Sequence, residues 1–202
     1  YNLATDSWTS SPAVFCESIT GTPTFYARIF RAAKLNDTQL DDYLIAAPLN
    51  PNEGDPLNFI LRHPAAKVVI QLRSSDGTFT TGELAAMEMS LPNYLIGAIY
   101  NNGRFEIPDP TATGNIDIVV SNNTAQAIIR PQEALAGRTL VNVHNPATGR
   151  DYPVTHTNNI SFAAGVATTL IIDMKKTTIG ISANVIDWEE GSKINLVAPA
   201  IT

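Results

Sequence analysis

Between residues 165 and 188 the hydrophobic pattern has period two twice over. Val166, Thr168, Leu170 and Ile172 alternate with Ala167, Thr169, Ile171 and Asp173. After the polar connector Lys175, Lys176 and Thr177, Ile179, Ile181, Ala183 and Val185 alternate with Thr178, Gly180, Ser182 and Asn184. Successive side chains of a strand point to opposite faces, so the pattern predicts two half-buried strands closing an antiparallel hairpin. Elsewhere the same signal recurs in shorter runs. Residues 24–30 (TFYARIF) and 41–48 (DDYLIAAP) predict strands, separated by a polar turn over 35–41. Residues 57–73 predict two strands split by His63 and Pro64, with Val68, Ile70 and Leu72 sharing a face. Proline donates nothing to a ladder, which places Pro64 at an edge or a bulge. Ser74 to Gly77 reads as a turn, and Asn101, Asn102 and Gly103 as a hairpin turn between LIGAIY and RFEIP. Residues 82–90 (GELAAMEMS) fit a helix by propensity and a strand by alternation. After a loop at 109–114, further strands are expected from Asn115 (NIDIVVS), Ala125 (AQAIIRP) and Arg138 (RTLVNVH), with a loop at 147–150 before the hairpin. Strands at this spacing with no long helix argue for an all-β sandwich.

The chain has 202 residues, room for one large β domain or two smaller ones. The turn-rich segment 50–56 (NPNEGDP) is the expected boundary, giving 1–56 and 57–202. Its 13 prolines and 12 glycines suit many short strands and turns. A net charge of −6 with no clustered basic surface argues against nucleic acid as a partner. No apolar run reaches the length of a membrane span. The sequence opens at Tyr1, so any signal or lipidation segment is expected to lie outside it.

Candidate chemistry is sparse. One cysteine, Cys16, rules out an intrachain disulfide and reads as a small apolar residue. His63, His144 and His156 share no metal-ligand spacing, and surface or structural roles are expected for them. Asp41 with Asp42, and Glu189 with Glu190, are adjacent pairs whose side chains diverge in a strand, so neither suits acid–base work on one substrate. Asp151 and Asp173 lack the surrounding loop of a calcium site. Triplets starting at Asn36, Asn122 and Asn159 match a glycosylation pattern that arises by chance in such a composition. No nucleophile elbow, phosphate loop or dinucleotide fingerprint is present. The expectation is a non-enzymatic protein with no metal and no cofactor.

Three stretches carry a more specific likeness. HPAAKVVIQL at 63–72, IIRPQ at 128–132 and FAAGVATTLIIDMKKTTIGISANVIDWEEG at 162–191 resemble, in order and spacing, the fimbrillin-like proteins of Bacteroidetes. The runs at 24–30 and 41–48 resemble the end of that family's N-terminal domain. The resemblance implies two transthyretin-like Greek-key β-sandwich domains, here with a short or truncated first one. It also implies export as a lipoprotein precursor and display on the outer membrane as a pilus subunit, anchor or tip adhesin. A further implication is proteolytic removal of an N-terminal strand, leaving a groove that a neighbour's strand fills.

On this reading the partners are other pilus subunits, joined by strand addition. The expected donor strand is Ser192, Lys193, Ile194, Asn195, Leu196, Val197 and Ala198, with Ile194 and Leu196 on one face and Asn195 and Val197 on the other. Pairing of that strand within its own domain is the competing expectation. A second reading is a tip or anchor subunit binding a glycan or host protein, with Tyr94, Tyr100 or Tyr152 stacking on sugar faces if exposed; core packing is the favoured expectation for each.

Overall fold

The computed structural model describes residues 24–34, 37–50, 58–101, 104–118, 120–176 and 179–187. In chain order its elements are β1 (Arg28–Ala32), β2 (Asp42–Ala46), β3 (Leu61–Arg62), β4 (Ala66–Arg73), the short helix α1 (Thr81–Ala85) and β5 (Glu88–Leu95). A hairpin of β6 (Ile99–Asn101) and β7 (Arg104–Glu106) follows, then β8 (Thr113–Ile118), β9 (Val120–Ser121), β10 (Thr124–Ile129) and β11 (Gln132–Ala134). The last strands are β12 (Thr139–Asn145), β13 (Arg150–Thr155), β14 (Ile160–Phe162), β15 (Val166–Met174) and β16 (Ile179–Asp187).

Two sheets form the body of this all-β chain. One runs β16-β15-β4-β10-β9 and the other β13-β12-β5-β8. Alternation explains both. Val68, Ile70 and Leu72 of β4 are fully buried, as expected of residues sharing a face, while Gln71 and Arg73 point out to solvent. Leu170 and Ile172 of β15, Met89 and Leu91 of β5, Val141 and Val143 of β12, and Ile116 of β8 join them in one hydrophobic cluster. Two layers burying their inner faces in one shared core is the arrangement of a β-sandwich. The expected hairpin is present: β15 and β16 pair antiparallel from Val166 opposite Asp187 to Met174 opposite Ile179. On its other side β15 runs parallel to β4, Thr168 beside Val68 and Ile172 beside Leu72. Gly165, at φ +73°, turns the chain into β15, and its N–H donates to the Ala65 carbonyl at 2.9 Å. A left-handed residue there favours glycine.

The ambiguous segment 82–90 resolves into both of its readings. Thr80 Oγ1 accepts from the Glu83 N–H at 3.2 Å, and the Glu83 carboxylate accepts from the Thr80 N–H at 2.7 Å. This capping box fixes one turn and a half of helix. From Glu88 onward Met89 and Leu91 alternate into the core and a strand takes over.

Three expectations need correction. The strand foreseen at 24–30 starts at Arg28; Phe25 instead makes an isolated bridge to Leu49. The run foreseen from Asn115 begins earlier, at Thr113, where β8 is already paired to β5. Residues beyond 147–150 are not only a loop: β13 and β14 lie between the turn and the hairpin. Pro153 masks β13, yet a sheet edge tolerates it, and Tyr152 and Val154 on either side are buried. Asn122 and Asn123, part of a triplet read as a chance match, form a two-residue hairpin turn at φ 51° and 58°, with Ser121 opposite Thr124. Pro64 lies in the bend between β3 and β4, within neither strand. The β6–β7 pairing has the expected register, Ile99 opposite Glu106. Asn102 and Gly103 of its turn, segment 51–57 and Cys16 lie outside the described residues.

Candidate assembly surface

A third, small sheet has the order β1-β2-β3. It takes two strands from before the expected boundary and one from after it. Two large apolar side chains are exposed here among arginines: Phe30 at 54% and Ile60, just before β3, at 70%. Between this sheet and the β6–β7 hairpin four rings stack in a row. Phe30 meets Tyr43 at 5.3 Å, Tyr43 meets Tyr100 at 4.1 Å, and Tyr100 meets Phe105 at 5.3 Å between centroids. The Arg28 guanidinium lies over the Tyr43 ring, 5.0 Å from its centre. Beside the row a groove of about 760 Å³ runs past Ile45, Pro48, Ile60, Pro64 and Phe105.

His63 anchors this sheet. Its Nδ1–H donates to Asp42 Oδ1 at 2.9 Å, so the adjacent acids diverge as expected: Asp42 takes His63 and Asp41 takes the Lys34 N–H at 2.8 Å. Burial depresses the His63 pKa below its ordinary 6.5, outweighing Asp42, which acts in the opposite sense. The folded protein therefore resists a proton that the unfolded chain accepts. Above 6.5 the ring is neutral in both states and contributes no slope. As pH falls from 6.5 through the lower folded-state value, stability is lost, and the loss then levels off. Denaturant titrations between pH 7.5 and about 5 should show this decline. The His63→Gln variant should show a flatter one; an equally steep profile would assign the slope to another group.

A second feature joins the connection between β1 and β2 to the sandwich. The Leu40 N–H donates to the Ile128 carbonyl on β10 at 2.9 Å. Gln39 Nε2 donates to the Asp117 carbonyl on β8 at 3.0 Å. β8 is the margin of the four-stranded sheet, and β10 is covered by β9 only at Thr124 and Ala125. Both residues are buried, Gln39 at 4% and Leu40 at 9% exposure, although neither belongs to a strand. Two consecutive residues thus clip the open edges of both layers.

The other residues singled out in the sequence fall as follows. His144 Nδ1 lies 2.7 Å from Asp151 on the outer face of the β12–β13 pair, and His156 Nδ1 lies 2.7 Å from the Asn158 carbonyl. These are structural contacts, and the three histidines do not converge on one another. Asp173 accepts from the Ser75 N–H at 2.8 Å and hydroxyl at 2.6 Å, so it and Asp151 serve separate partners. Tyr94 and Tyr152 are buried in the core, and burial drives the Tyr94 phenol to a higher pKa. Core packing, the favoured expectation for both, is what the structure shows, and neither offers a face to a sugar. Tyr100 is half-buried in the ring row. The IIRPQ motif is a clamp: Arg130 and Gln132 hold the backbone at 95–96 and 109–110. The expected donor strand at 192–198, and Glu189 with Glu190, lie outside the described residues. The clip at Gln39 and Leu40 was missed by sequence reasoning; a leucine within an otherwise polar turn is its signal.

A sequence model of fimbrillin-like proteins matches residues 20–188. The chain belongs to the fimbrillin-like family. Membership in this family supports a fimbrial or adhesion protein at the cell surface, and suggests a structural, non-enzymatic one. Among solved structures, a candidate cell adhesion protein from Bacteroides uniformis aligns with TM-score 0.59 at 20% identity, over 86% of this chain and 69% of its own. Another candidate cell adhesion protein, from Bacteroides ovatus, gives 0.55 at 19% identity, over 87% and 64%. The tip fimbrial protein Mfa3 from Porphyromonas gingivalis, with C-terminal truncation, gives 0.48 at 12% identity, over 80% and 70%. At such identities the first two likenesses are of fold, and this fimbrillin-like chain spans about two thirds of their length. No curated protein matches. No helix among the described residues is long and apolar enough to cross a membrane.

Proposed function

We propose that this fimbrillin-like chain is a structural subunit of a cell-surface pilus that assembles by β-strand exchange and supports adhesion. The observation that carries the reading is the margin of β10. Among the described residues, its outer edge beyond Ala125 takes one backbone hydrogen bond from outside the sheet, the Leu40 contact. A strand edge presents N–H and C=O groups that an added strand satisfies. The donor in this reading is 192–198 of a neighbouring subunit. Burial of Ile194 and Leu196 contributes roughly 1.5–3 kcal/mol each, against about 1–2 kcal/mol per residue for ordering the backbone. The ladder bonds and a pre-formed edge decide the outcome. In the same reading the subunit is exported as a lipoprotein precursor to the outer membrane. Residues 57–202 form a transthyretin-like Greek-key sandwich, and 1–56 are the remainder of the first domain.

The second reading, a tip or anchor adhesin, draws support from the exposed Phe30 and Ile60 beside the groove. It requires a host protein or glycan to cover them.

Removal of the residues after Gly191 tests the first reading. The full chain should form polymers visible by electron microscopy; the shortened one should not, and a synthetic 191–202 peptide should bind it. Its melting temperature should stay within about 2 °C of the full chain, since a donated tail adds nothing to its own subunit. Unchanged polymers would overturn donation, and a drop of more than about 5 °C would assign the tail to its own domain.

A further inference from the structure

Arg28 stands directly opposite Ile45, and Ile45 directly opposite Arg62. Residues opposite one another in a ladder point to the same face, so the two arginines and the isoleucine between them form one line across β1, β2 and β3. Two strand spacings put the outer Cα positions about 10 Å apart. Phe30 shares this face, two residues on from Arg28, and Ile45, Ile60, Arg62 and Phe105 line the groove of about 760 Å³. Both arginines are exposed, and among the described residues neither is in an ion pair. Asp42, the acid of β2, is already taken by His63. The face thus offers two open cations on a chain whose net charge is −6.

We infer that this face binds an acidic polysaccharide of alternating uronic acid and N-acetylhexosamine, with successive carboxylates on Arg28 and Arg62 and the intervening N-acetyl methyl against Ile45. The inference rests on the adhesin reading and names its ligand. A disaccharide repeat is two pyranose rings long, which matches the spacing of about 10 Å across the strands. Each guanidinium fork takes a carboxylate through two parallel hydrogen bonds. The C–H face of a pyranose is apolar and lies flat on an aromatic ring such as the exposed Phe30. A sheet face presents side chains and no ladder groups, so recognition here falls to these groups and not to an added strand. A flexible acidic peptide lacks a fixed carboxylate spacing, and ordering it costs about 1–2 kcal/mol per residue.

The test titrates the full chain with a hyaluronan tetrasaccharide, which carries two carboxylates, beside a chitin tetrasaccharide and a tetraglutamate peptide. The hyaluronan fragment should bind most tightly of the three. Its affinity should fall about tenfold in Arg28→Gln and about tenfold in Arg62→Gln, and should weaken as salt rises. A hyaluronan disaccharide, with one carboxylate, should bind about tenfold more weakly than the tetrasaccharide. In the unsubstituted protein, saturation-transfer NMR should show the N-acetyl methyl as the most strongly contacted group. That measurement needs no substitution, so a poorly folded variant leaves the inference falsifiable. Equal binding of the chitin fragment, indifferent to both arginines, would overturn the acidic ligand while leaving a glycan-binding adhesin. Equal binding of tetraglutamate would overturn the sugar in favour of an acidic protein partner. A dimer that becomes a monomer in Phe30→Ser, seen by light scattering, would show a second copy covering the face and would also overturn the inference. Failure of all three probes to bind would remove both this ligand and the glycan form of the adhesin reading.

Discussion

Phe162→Ala should destabilise the fold by about 3–5 kcal/mol, lowering the melting temperature by roughly 10 °C. Phe162 is the largest of the fully buried side chains, at 1% exposure, and its ring centre lies 5.7 Å from that of Tyr94. It sits on β14, which among the described residues pairs with β11 alone, a ladder of three residue pairs. Removing the ring takes away its transfer free energy and leaves a cavity that neighbours fill only in part. Three residues later Gly165 turns the chain into β15, whose parallel register against β4 organises the larger sheet. Phe162→Leu should recover most of the loss, because an aliphatic side chain refills much of the volume. Denaturant unfolding at neutral pH checks both; a loss below about 1 kcal/mol for the alanine variant would show that the site collapses around the gap.

The sequence carried the strands wherever one face is buried without interruption. The β15–β16 hairpin, Val68 with Ile70 and Leu72 in β4, and β12 all follow from period-two alternation, because a slip of one residue would turn the core face to water. It failed where a local feature hides the period. Pro153 concealed β13, since the absence of an edge position from a one-dimensional pattern makes proline look like a break. Asn122 and Asn123 concealed a tight turn, because their positive φ is a property of pairing between strands that sequence does not display. The candidate surface was harder still. Gln39 and Leu40 matter for the two sheet margins they touch, Asp117 and Ile128, which lie 78 and 88 positions along the chain. Tyr94 and Tyr152 pack in the core, the placement favoured for them, because alternation turns their faces of β5 and β13 inward.

Arg130→Ala should cost about 2–4 kcal/mol, with an effect concentrated where β10 ends. The Arg130 side chain is buried at 6% exposure, and its guanidinium donates from Nη1 to the Asp109 carbonyl and from Nη2 to the Pro110 carbonyl, each at 3.0 Å. Two residues on, the Gln132 amide accepts from the Leu95 N–H at 2.7 Å and donates to the Arg130 carbonyl at 3.0 Å. The motif thus fastens the loop before β8 to the end of β10. Alanine takes away both charge-assisted hydrogen bonds and the packing of the buried Arg130 side chain. Arg130→Lys keeps the charge but not the fork, since one ammonium does not reproduce two divergent N–H directions, so it should recover less than half of the loss. A double-mutant cycle with Gln132→Ala should give a coupling of about 0.5–2 kcal/mol, as residues acting through one backbone segment do. Full additivity would separate the two anchors. A stable Lys variant would mean that charge near Asp109, whose carboxyl pKa is already lowered chiefly by the Thr111 N–H, matters more than the geometry of the fork.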